Sequence, residues 1–205
     1  MQATDAIFYI AILIMSVVIH EVSHGFAALR YGDRTAQRMG RLTLNPLKHL
    51  DLFGSILLPA LLYFTSGFVF GWAKPVPYNP DNLRDRKWGE IFVAAAGILA
   101  NLFIALFFGL ILRFSQGYDL LIALYPILST IVVVNLALAI FNLVPIPPLD
   151  GSKILFNLLP NSMSAITELL QRYALMLLII FVIFFSDELF PVLAALYQLI
   201  TGLSL

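Results

Sequence analysis

The stretch VVIHEVSHGFAA, residues 17–28, sets two imidazoles and a carboxylate inside an otherwise apolar run. Ionisable groups are expensive at membrane depth, and where they occur they face a protein interior or a cavity. On a helix, His20 and His24 stand at i and i+4, one turn apart on one face. H-E-x-x-H therefore lets both imidazoles hold one metal ion, with Glu21 beside it to activate water. The chain has only 3 histidines, so this spacing around a glutamate is improbable by chance. A hydrogen-bonded polar pair between helices is the plainer alternative. A divalent cation is preferred because it consumes all of the polarity at once.

The rest of the chain fits a membrane setting for that helix. Of 205 residues 60% are hydrophobic and 12% charged, and the mean hydropathy is +0.92. An ordinary soluble domain carries about a quarter charged residues. The apolar blocks run from Ile7 to Leu29, Leu52 to Phe70, Ile91 to Leu112, Leu120 to Val144 and Ala174 to Phe185, with a shorter one from Leu189 to Leu203. Most approach the ~20 residues that cross a bilayer. The expected fold is an all-α polytopic membrane protein with about five to six transmembrane or re-entrant helices. Residues 1–205 are read as a single membrane-embedded domain. The last block is compatible with crossing, lying at the surface or dimerising. MQATDAIFYI lacks a basic region and a cleavage site and reads as a retained segment.

Zero net charge gives no electrostatic case for nucleic acid, and the absence of cysteine excludes thiolate ligands and disulfides. Nine of the 12 basic residues lie between Arg30 and Lys87. The positive-inside bias puts both basic loops in the cytoplasm, the N-terminus outside and the histidines toward the cytoplasmic side. Because both flanks of Leu52–Phe70 are basic, that block is expected to be re-entrant. A short helix over Leu52–Ser66 would return through GFVFGWAKPVPYNP as a small extended or β element between the first and third blocks. Irregular backbone at this depth must line a cavity.

A hydrolytic zinc site wants a third protein ligand and an open position. Asp5, Asp119, Asp187 and Glu188 flank helix ends on the outer side. Asp33, Asp81, Asp85 and Glu90 sit among basic residues and suit solvated pairing; Asp51 suits a helix cap, and Glu168 a polar loop. Asp150, in FNLVPIPPLDGSKIL, follows helix-breaking prolines at the inner end of the fourth apolar block, on the side of His20 and His24. It is the chosen third ligand. Asn142 stands seven positions after Asn135, on the same side of that helix, where an amide can donate to a developing oxyanion; a helix–helix hydrogen bond is the alternative for both. Lys74, Pro75, Val76, Pro77 and Tyr78 offer an extended edge for a substrate strand or a plain connector. His49 suits either a capping role or a substrate contact.

HEVSH (residues 20–24) and NLVPIPPLDG (residues 142–151) resemble the site-2 proteases, intramembrane zinc metalloproteases, with their N-x-x-P-x-P-x-x-D-G pattern. NPLKHLDLFGSILLP and GWAKPVPYNP look like the short prokaryotic branch without accessory domains. The resemblance spans about residues 7 to 160. It implies one zinc ion on His20, His24 and Asp150, with Glu21 as general base and Asn142 near the oxyanion. It further implies regulated cleavage of membrane-spanning protein substrates in the bilayer. AAAGILANL is similar to the family's small-residue helix, with Ile98 where proline usually follows Gly97; Gly97 and Asn101 leave a small and polar face for close packing. The alternative from another class is a non-proteolytic metal-binding membrane protein for zinc transport or sensing. The residues fix neither the oligomeric state nor the substrate.

Overall fold

A computed structural model describes residues 3–51, 57, 74–115 and 123–205. Helix α1 (Ala3–Arg30) carries the opening motif and ends where Gly32 takes a φ of 110°. A four-residue helical turn, Thr35–Arg38, follows. Residues 74–78 form no regular element, Asn79 is extended at φ −112° and ψ 113°, and the expected β element is not confirmed, since no strand is assigned among the described residues. Helix α2 (Arg86–Phe114) begins at Asp85, whose side chain accepts the Trp88 N–H at 3.0 Å, an N-cap. No proline interrupts its 29 residues, and Ile98 is passed without a break.

Helix α3 (Tyr125–Leu143) has proline in its first turn, where a missing N–H costs nothing, and ends before Pro145. The PIPP turn, with a cis Pro147–Pro148 bond, leads into α4 (Asp150–Leu158). Then come α5 (Ser164–Arg172), α6 (Ala174–Phe184) and α7 (Phe190–Thr201), which is closed by Gly202 at φ 76°.

Among the described residues, α1, α2 and α3 are long and apolar enough to cross a membrane, and the α5–α6 pair, bent by 71°, adds a fourth if it is one span. The described residues are thus all-helical and fit a multi-pass membrane protein with three or four candidate spans among them, which leaves the expected five to six transmembrane or re-entrant helices unconfirmed. The expected re-entrant helix over Leu52–Ser66, and the rest of that block to Phe70, lie outside the described residues apart from Leu57. The segment from Leu189 onward is no surface appendage. Leu193 and Tyr197 of α7 are buried against Leu112 of α2 and Leu128, Val132 and Leu136 of α3. Gly109 permits that contact, because a Cβ there would overlap the Ile200 side chain. Glu168, expected in a loop, is on α5.

Helix α2 is the hub. It packs on α1, α3, α4 and α7, so it can organise groups delivered by all of them.

Candidate metal centre

One turn of α1 points His20 and His24 at the same spot, with ring centroids 4.6 Å apart. Asp150, the first residue of α4, reaches that spot from 130 positions beyond His20. Its Oδ2 lies 3.1 Å from Nε2 of each imidazole, and all three side chains are buried. Two contacts set the tautomers. The His24 Nδ1 donates to the Val93 carbonyl at 2.6 Å. The His20 Nδ1 donates to Asn101 Oδ1 at 2.6 Å, while the Asn101 amide donates to Asn135 Oδ1 at 2.8 Å. With both Nδ1 atoms donating, both neutral rings turn acceptors toward a carboxylate oxygen. Three converging acceptors call for a cation at their centre, and two imidazoles with a carboxylate are zinc's preferred donors. The trio fits one zinc ion.

A chain of amides supports the first ligand. Asn101 and Asn135 have no exposed surface, and Asn135 donates onward to Ser16 Oγ at 2.9 Å. The network ties α1, α2 and α3 behind His20. Gly97 explains how α2 comes so near. A Cβ there would lie 2.5 Å from His24 Cε1 and 2.6 Å from His20 Cε1, closer than real contacts allow.

Glu21, Asn142, Pro75, Val76, Pro77, Tyr78 and Lys153 line a cleft of about 540 Å³ with the trio. The Val76 N–H donates to Glu21 Oε2 at 2.8 Å, which brings the 74–79 segment against the motif. Two side chains of the loop after α1 secure that segment. Arg41 donates to the Lys74 carbonyl at 2.9 Å, and Asp33 accepts the Asn79 N–H at 2.8 Å and the Asn82 amide at 2.9 Å. Asp33 is therefore no solvated partner of the arginines; it is buried and accepts from Thr35 too. Burial works to raise its pKa, and the donors from Thr35, Asn82 and Asn79 together hold it below the ordinary value. Lys153 donates to Asp150 Oδ1 at 3.0 Å.

His20, Glu21, His24, Asn142, Asp150 and residues 75–78 thus meet in one place. Lys74 and His49 do not line it. His49 is buried, donating from Nε2 to the Thr43 carbonyl at 2.9 Å, and its own carbonyl accepts the Lys74 N–H at 2.8 Å. Its ring bonds the loop after α1 and its carbonyl bonds Lys74, which ties that loop to the 74–79 segment. Asn142 lines the cleft and donates one amide hydrogen to the Leu138 carbonyl at 2.9 Å, which leaves its Oδ1 and a second N–H for other partners. Ser16, Lys153 and Arg41 carry no site role that their sequence positions alone assigned. Lys153 was legible as the i+3 neighbour of Asp150; Ser16 was legible only as one turn before His20.

Comparison with known proteins agrees with this chemistry. Residues 8–185 match the model described as peptidase family M50. YwhC of Bacillus subtilis, named as a zinc metalloprotease, is 38% identical over 182 residues, covering 85% of this chain and 80% of that protein. Rip2 of Mycolicibacterium smegmatis, also named as a zinc metalloprotease, is 36% identical over 148 residues, 71% of this chain and 54% of that protein. Zinc metalloprotease MJ0392 of Methanocaldococcus jannaschii is 28% identical over 144 residues, 70% of this chain and 32% of that protein. The chain thus spans four fifths of the first relative's length and about half or less of the other two. No solved structure matches it.

Proposed function

The chain belongs to peptidase family M50, the site-2 protease family, and from that premise we propose that it is an intramembrane zinc endopeptidase acting on membrane-spanning proteins. The observation that carries the reading is the meeting of Asp150 Oδ2 with both Nε2 atoms at 3.1 Å, in a cleft that also holds Glu21 and Asn142. His20, His24 and Asp150 hold the zinc ion. Bound there, zinc supplies the Lewis acidity that polarises a scissile carbonyl and makes water more acidic. Glu21 takes the water proton through its Oε1, since Oε2 is engaged by Val76, and passes it to the leaving amine. Asn142 donates an amide hydrogen to the oxygen that gains charge.

A membrane-spanning helix satisfies its own amides, so a substrate unwinds locally before its backbone reaches this cleft. Residues 75–78 receive the unwound stretch as an added strand, with Lys74 and His49 supporting that segment from behind. In an extended chain the N–H and C=O of one residue share a side. The Val76 N–H is already given to Glu21 and Pro75 and Pro77 have none, so the Tyr78 N–H and the Val76 and Tyr78 carbonyls are the groups that pair with the substrate strand. The clustering of basic residues between Arg30 and Lys87 supports an orientation with the N-terminus outside and the cleft toward the cytoplasm, the setting in which regulated intramembrane proteolysis would act.

The test is Glu21→Gln in full-length protein reconstituted with a labelled membrane-spanning substrate. The expected result is stoichiometric zinc with cleavage reduced by about 10²–10⁴-fold, the contribution of a positioned base. A zinc-loaded wild type that cuts no such substrate yet passes zinc across vesicles would assign the site to transport.

A further inference from the structure

The two oxygens of Asp150 have different partners. Oδ2 faces the imidazoles, and Oδ1 accepts from Lys153 Nζ at 3.0 Å. Lys153 is three residues on in the first turn of α4, so backbone geometry keeps the two side chains on one face. Its Nζ also stands 6.0 Å from the centre of the Tyr78 ring, which lines the same cleft. A carboxylate free to turn can ligate with one oxygen or with both. Here turning Oδ1 inward means abandoning an ammonium at hydrogen-bond distance on a carboxylate that is 6% exposed.

We propose that Lys153 is a positioning residue that confines Asp150 to single-oxygen ligation and thereby keeps one coordination position open. Three protein donor atoms plus one vacancy is the arrangement hydrolytic zinc requires, and a fourth protein oxygen would crowd that vacancy. The inference rests on the reading of His20, His24 and Asp150 as the metal ligands. It makes a distinctive claim about affinity. An ammonium near a divalent ion repels it, so removing Lys153 leaves the metal bound as tightly or more tightly while making the site less reactive. A lysine that only supported the fold would do the opposite.

The experiment loads full-length protein in detergent with cobalt(II), whose visible bands are intense in four-coordinate sites and weaken on expansion to five ligands. Wild type, Lys153→Met, Lys153→Arg and His24→Ala are compared for spectrum, for metal affinity by chelator competition, and for kcat and KM on a membrane substrate. Lys153→Met is expected to lose band intensity, to bind metal no more weakly, and to lose about 10–100-fold in kcat, the usual cost of an outer-sphere partner. KM is expected to hold within about twofold, as for a group that acts after binding. Lys153→Arg, which can still donate to Oδ1, restores the spectrum. An unchanged Lys153→Met spectrum overturns the inference, as does weakened metal binding. A wild-type spectrum that survives His24→Ala sinks the ligand assignment itself, independently of Lys153.

Discussion

At the residue scale, the metal site depends on atoms that touch no substrate. Asn101 can orient His20 only because its amide is committed to Asn135 and its oxygen is left to accept the Nδ1–H. Asn101→Leu removes that acceptor and strands a buried imidazole donor. Zinc affinity, measured by chelator competition, should fall by about 10–100-fold while the helical content holds. Gly97→Ala acts by volume. Its Cβ would press into both imidazoles at 2.5–2.6 Å, and the backbone of α2 cannot retreat without disturbing its contacts with α1 and α3. The purified variant should therefore hold well under one equivalent of zinc by metal analysis. Retention of full zinc would mean that the α1–α2 approach is not what seats the ligands.

At the element scale, the 74–79 segment is positioned by side chains, with no sheet among the described residues. Arg41 and Asp33, both from the loop after α1, fasten its two ends, and the Val76 N–H fastens its middle to Glu21. Asp33→Ala leaves the Asn79 N–H and the Asn82 amide without their acceptor, at a cost of about 1–3 kcal/mol in local stability. The faster exchange of the Asn79 amide would report it. The pH dependence follows from the same bonds. The folded pKa of Asp33 lies below its ordinary 3.8, so the clamp stabilises fully above that pH and is lost as pH falls through the depressed value. Protection of the Asn79 amide, measured against its intrinsic exchange rate, should fall as the pH drops below 3.8 in wild type, and Asp33→Asn should abolish that acid response.

At the scale of the whole molecule, the site and the packing core are separate along α2. Gly97 and Asn101 serve the ligands, whereas Ala105, Leu112 and Gly109 receive α3 and α7. Leu136 is fully buried in the second region. Leu136→Ala should cost about 2–5 kcal/mol through the cavity it leaves. The expected reading is a lower thermal midpoint in detergent with zinc stoichiometry unchanged. Loss of metal in the folded variant would show that the two regions are one cooperative unit.

What the sequence alone determined was everything that lies within one turn of one helix or one short motif. His20, Glu21 and His24 were legible because a 3.6-residue period fixes their common face, and the membrane setting was legible because solvation is additive over residues. Asp150 was reached by elimination among acids, with a motif to support it. The partners of these groups were decided by tertiary structure. That Asn101 faces His20, that Asn135 backs Asn101, that Asp33 is a buried clamp and that Lys153 takes one oxygen of Asp150 all depend on where α2, α3 and α4 come to rest against α1. No periodicity encodes the distance between two helices; small residues such as Gly97 set it, and their effect is visible only once both surfaces are in contact.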